Sequence, residues 1–150
     1  MSQPRSAPPA VGPPAASGSD AWARASALAG DWAPVAGRIL LALVLAWFGY
    51  HELVRPGLWT GYVPVVSPAS SLAIVAVLIH GWMLLVLAAA LAAGIATRLA
   101  ALLAAVLLAE IVISLTISGG LSDLTLRDAG VLGLAITLTG VSQRRLVLRR

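Results

Sequence analysis

The chain contains no cysteine, no lysine, a single phenylalanine and only 11% charged residues. Without cysteine there is no disulfide, no thiolate chemistry, no cysteine-ligated iron–sulfur cluster and no covalently attached c-type haem. Soluble domains carry about 25% charged residues, and a water-facing surface cannot be built from so few. The shortage sets aside soluble enzymes, DNA-binding domains and secreted disulfide scaffolds. What the chain has instead is apolar: 59% of its 150 residues are hydrophobic and its mean hydropathy is +0.93, the composition of a small polytopic membrane protein. All ten basic residues are arginine, giving a formal net charge of +4 and a pI near 11.1. They are divided among short segments, which reads as membrane orientation and contact with the lipid bilayer, with no nucleic-acid partner.

Residues 1–34 are rich in Pro, Ala, Ser and Gly and offer no apolar run to bury, so they read as a disordered tail without the form of a removable signal peptide. Trp22 and Trp32 suit the membrane interface, and Pro34 suits the first turn of a following helix. Four apolar runs follow, at 35–53, 70–93, 97–117 and 126–141. At ~1.5 Å per residue each spans a hydrocarbon core of roughly 30 Å, or nearly so with its flanks. Ser67-Pro68 has the form of a helix start, Gly94 and Gly119-Gly120 of helix stops, and Thr125 to Asp128 of a capping box. Placing both tails and the turn between the second and third runs on one side puts eight arginines there against two, Arg55 and Arg127, on the other. Both termini are therefore expected to be cytoplasmic. Small residues at Ala101, Ala105 and Ala109, at Ala88 and Ala92, and at Gly130, Gly133 and Gly140 allow close helix approach. The expected fold is an all-α membrane protein: a four-helix transmembrane bundle over 35–143, up-down-up-down, followed by a basic cytoplasmic tail at 144–150.

Ionisable groups at membrane depth cost roughly 2.5–3.5 kcal/mol on insertion scales, so each needs a partner or a purpose. Glu110 lies within the third run, with Ser114 and Ser118 at i+4 and i+8, a polar stripe expected to face the bundle interior. His80 lies in the second run, and counting helix rise from the helix midpoints puts it level with Glu110 to within ~2 Å. A His80–Glu110 hydrogen bond or ion pair is the expectation, with either a neutral or an ionic pair open; the alternative is that both groups only fix helix register. His51 and Glu52 end the first run, and Arg127 and Asp128 begin the fourth. With Glu110 and His80 they suggest a polar pocket opening outward, which Trp47, Tyr50, Trp59, Tyr62 and Trp82 are placed to line. The other reading of these charges is a solvated rim anchoring helix ends. A metal or haem site is disfavoured: no His pair occurs at i, i+4, and helix rise places His51 roughly 6 Å outward of His80.

Arg38 onward to Phe48-Gly49-Tyr50-His51-Glu52-Leu53, followed by Pro56, Trp59 and Gly61-Tyr62-Val63-Pro64, resembles the DoxX family of small bacterial membrane proteins. The junction Gly94-Ile95-Ala96-Thr97-Arg98-Leu99-Ala100-Ala101 is similar to that family's Gly-x-x-x-Arg-x-Ala-Ala turn, and Arg127-Asp128 with Gly130 and Gly133 fits its fourth helix. The resemblance covers residues 36–142. It implies a four-helix bundle in the bacterial inner membrane and an association with respiratory redox chemistry, as an accessory subunit of a quinone-linked or oxidative-stress-related membrane oxidoreductase complex. On that reading Glu110 and His80 handle protons or hydrogen-bond a quinone oxygen, and His51, Glu52, Trp82, Arg127 and Asp128 line the quinone site. The competing reading is a non-catalytic membrane anchor or assembly protein whose tails recruit a soluble partner.

Overall fold

A computed structural model describes residues 18–141, which form four α-helices and two short 3-10 turns. Helix α1 spans Gly18–Val54, α2 Ser71–Ala93, α3 Thr97–Gly119 and α4 Asp123–Gly140, with single 3-10 turns at Pro56–Leu58 and Thr60–Tyr62 in the first loop. Of the tails expected from the sequence, residues 1–17 and 144–150 lie outside the described residues.

Helix α1 corrects the reading of residues 18–34 as disordered tail. It runs for 37 residues with Pro34 inside it, well past its first turn. Ala21, Ala23, Ala25, Ala27 and Ala29 are the strongest helix formers, and they outweigh the breaker that follows. Gly30, whose carbonyl Pro34 leaves without its i→i−4 donor, is exposed. The other starts shift as well. Ser70, not Ser67, caps α2 by accepting from Ala73 N at 3.1 Å, while its hydroxyl donates to the Ser67 carbonyl at 2.7 Å, so Ser67-Pro68 forms the preceding turn. Ser122 caps α4 by accepting from Thr125 N at 3.3 Å, and Thr125 is buried with its hydroxyl on the Gly120 carbonyl. Gly94 closes α2 in the left-handed region (φ 72°), with Gly94 N on Leu91 O and Ile95 N on Ala90 O, the paired bonds of a Schellman motif.

Three of these helices, α1, α2 and α3, are long and apolar enough to cross a membrane. Helix α4 has 18 residues and starts three residues earlier than the run expected from the sequence, which brings Asp123 into it beside Arg127 and Asp128 and makes it more polar than that run. The helices pack as two close pairs, α1 on α2 and α3 on α4, with sparser contact between the pairs. Toward the Gly94–Ala96 turn, Leu41, Leu45, Leu84, Leu91 and Leu138 close around Ala88, Ala100, Ala101, Ala104 and Ala105, small residues that let the helices approach. Ala92 is exposed, and Gly130, Gly133 and Gly140 have nothing near enough to meet a Cβ, so these four do not mediate the close approach expected of them. Toward the 55–70 loop the bundle opens around a cavity.

Candidate functional site

The cavity measures about 420 Å³ and is walled mostly by apolar side chains. It begins where α1 and α2 touch most closely. A Cβ built on Gly49 would stand 2.7 Å from the Gly81 carbonyl oxygen, and one on Gly81 would stand 3.0 Å from Cβ of Glu52. Only two glycines permit this crossing, and it brings the Glu52 side chain onto His80.

His80 Nδ1 lies 2.8 Å from Glu52 Oε2, a hydrogen bond between a side chain 20% exposed and one 6% exposed. His80 Nε2 lies 3.9 Å from Glu110 Oε2, too far for a hydrogen bond, and no other described group bonds to it although it is buried. The imidazole therefore stands between two carboxylates and is held by the one on α1. The sequence pairing of His80 with Glu110 captured the weaker contact and missed the stronger. It aligned the midpoints of the second and third runs and left the stagger of α1 against α2 out of account: Gly49 and Gly81 share a level, so α2 overhangs the end of α1 by about one and a half turns, or roughly 7.5 Å at 1.5 Å per residue. The 3-10 turns pack against that overhang. The signal available in the sequence was the pair of glycines beside the two polar residues, Gly49 three before Glu52 and Gly81 directly after His80.

Glu110 lines the cavity, yet its side chain is 51% exposed. Ser114 is buried and Ser118 exposed, so the expected inward polar stripe survives only at Ser114. The Ser114 hydroxyl donates to the Tyr62 carbonyl, tying the loop down onto α3. Trp59 lies edge-on to Phe48 with centroids 5.8 Å apart, and Tyr62 packs beside Trp59. Together they roof the cavity. Arg127 donates through Nε to Asp128 Oδ1 at 3.0 Å and lies over the Phe48 ring at 5.4 Å, which closes the gap between α1 and α4. Asp128 is buried, so its charge is balanced by the neighbouring guanidinium.

Among the residues proposed from sequence, His51, Glu52, His80, Glu110, Arg127 and Asp128 all border the cavity. Trp82 does not. It follows His80 by two positions, about 200° around the helix, and is 61% exposed on the outer face of α2. Trp47 and Tyr50 are likewise exposed and outside the lining, leaving Trp59 and Tyr62 as the expected aromatics that border it. His51 turns toward its own helix: Nδ1–H donates to the Trp47 carbonyl at 2.8 Å, and the two rings lie tilted against each other with centroids 4.2 Å apart. Among the described residues no three His, Asp or Glu side chains are grouped to hold a metal ion. The arrangement offers an apolar chamber with a carboxylate–imidazole–carboxylate row in its wall, suited to binding a flat or chain-like apolar body and to exchanging protons with polar atoms on it. Comparison of the chain with protein-family models, with curated proteins and with solved structures finds no match.

Proposed function

We propose that this chain is a DoxX-like multi-pass protein of the bacterial inner membrane, serving as an accessory subunit of a quinone-linked or oxidative-stress-related membrane oxidoreductase complex. In this reading α4 completes a four-helix up-down-up-down bundle with both termini cytoplasmic, its Arg127–Asp128 pair offsetting the cost of two charges near the membrane. The cavity receives the quinone ring. The observation that carries the proposal is His80, partly buried between Glu52 and Glu110 in the wall of a chamber of about 420 Å³, within the range of roughly 300–1,000 Å³ typical of small-molecule sites. Ring binding requires apolar walls with few polar groups, and quinone reduction or quinol oxidation requires a proton carrier where water is scarce. Glu52 orients the imidazole, while His80 and Glu110 supply or accept the proton.

The test is retention of quinone. Protein purified from its native membrane in mild detergent is expected to carry extractable quinone, and His80→Ala is expected to lose it while the helical circular dichroism is unchanged. Absence of quinone from both preparations rejects this reading. Reporter fusions at the two ends test the topology, and reporters found on opposite faces reject it. The exposed stretch of α1 that carries Asp20, Trp22, Arg24 and Leu28 favours a second reading, a membrane anchor that recruits a soluble partner. Under that reading, truncating the chain before Asp31 abolishes partner recruitment and leaves quinone content unaltered.

A further inference from the structure

Resting on the quinone-site reading for its ligand but not for its geometry, we infer that the cavity is filled sideways from the lipid, through a portal between α2 and α3 at which Glu110 stands, rather than from the aqueous face. Two of the four seams around the cavity are shut by packing and a third is bridged by a tethered side chain. Between α1 and α2 the Gly49–Gly81 crossing and the Glu52–His80 hydrogen bond leave no gap. Helices α3 and α4 pack extensively; α4 and α1 touch sparsely, but the Arg127 side chain, fixed by Asp128 and lying over the Phe48 ring, bridges them. The loop end is roofed by Trp59 on Phe48 and by the Ser114–Tyr62 hydrogen bond. The α2–α3 seam is different, because the small-residue contact that closes it lies toward the Gly94–Ala96 turn.

The position of Glu110 marks where the seam is open. Its carboxylate borders the cavity and is also half exposed, so interior and surface meet there. It lies about 20 Å along α3 from Thr97 by helix rise, well inside the span rather than at its end. Residues seven and four before it and three and seven after it, Leu103, Val106, Ile113 and Ile117, are all exposed and apolar, the stripe of a helix facing acyl chains. Across the seam, Ile79 is exposed beside His80, and Ala76, four residues before His80 on the same helix face, is a small residue lining the cavity. A carboxylate on a lipid-facing stripe is costly unless it serves the opening. It serves here as a polar post past which an uncharged amphiphile dissolved in the bilayer slides its ring toward His80, its chain remaining among the lipids. The ligand class that follows is a membrane-dissolved molecule with a compact polar ring and an apolar tail; a water-borne anion would have to pass both the bilayer and Glu110.

The chain has no cysteine, so any cysteine introduced is the only one. Nitroxide labels at Ala76→Cys and Ile111→Cys in the full chain, reconstituted in phosphatidylethanolamine–phosphatidylglycerol vesicles, report collisions with oxygen from the lipid phase and with a water-soluble nickel chelate. Oxygen is expected to dominate at both sites; dominance of the nickel chelate at both overturns the portal. A second measurement uses decylubiquinone dissolved in the vesicles and the fluorescence quenching that disappears in Trp59→Phe. Ala76→Phe, which fills the passage, is expected to lose this quenching, and Leu58→Phe on the roof is expected to keep it; the reverse result also overturns the portal. If the unaltered chain shows no such quenching, the quinone reading fails, and the nitroxide collisions alone still decide the portal.

Discussion

The His80 ring is held by Glu52 at 2.8 Å and only approached by Glu110 at 3.9 Å. The two carboxylates are therefore unequal: one is buried and bonded, the other half exposed. Glu52→Ala leaves a polar imidazole hydrogen without its acceptor inside the bundle and is expected to destabilise the fold by roughly 1–2 kcal/mol. Glu110→Ala is expected to cost less. Unfolding in mixed micelles measures both, and a double-mutant cycle is expected to give a larger coupling for Glu52 with His80 than for Glu110 with His80.

The glycine crossing provides a sharper contrast. Gly49→Ala forces a methyl to within 2.7 Å of the Gly81 carbonyl oxygen, and backbone must move to admit it. The expected cost is about 1–3 kcal/mol, with the α1–α2 contact opened and the Glu52–His80 bond lost. Gly133→Ala has nothing within 4 Å of the new methyl and replaces a poor helix former with the best, so it is expected to gain about 0.5–1 kcal/mol. The same micelle unfolding experiment reads both signs.

Ser114 anchors the roof to α3. Ser114→Ala removes its bond to the Tyr62 carbonyl and is expected to cost about 1 kcal/mol. The diagnostic result is local: amide hydrogen exchange at Thr60 to Val63 rises while exchange in the middle of α2 is unchanged.

The start of α2 separates two neighbouring serines. Ser70→Ala removes the side-chain cap and is expected to lower stability by about 1 kcal/mol. Ser67→Ala removes no side-chain cap, because Ser67 contributes its carbonyl, and is expected to stay within about 0.5 kcal/mol of the parent.

Much of the helical content was legible in local chemistry. Long apolar runs, Gly94 and the Gly119-Gly120 pair carry their own physical instructions, since hydrocarbon solvent demands satisfied backbone and a left-handed residue after a helix favours glycine. That α1 continues upstream through Pro34 was legible only to propensity, because alanine in a Pro- and Ser-rich stretch reads compositionally as disorder while physically favouring helix. The candidate residues His51, Glu52, His80, Glu110, Arg127 and Asp128 were visible as costly groups near or within apolar spans. Their grouping about one cavity depends on how the helices are staggered, which no single helix encodes. Helix rise gives depth only relative to an assumed common plane, and α2 does not share that plane with α1. The glycine contact sets the stagger, so tertiary packing alone decided that Glu52 holds His80, that Trp82 faces outward and that Glu110 stands at the rim.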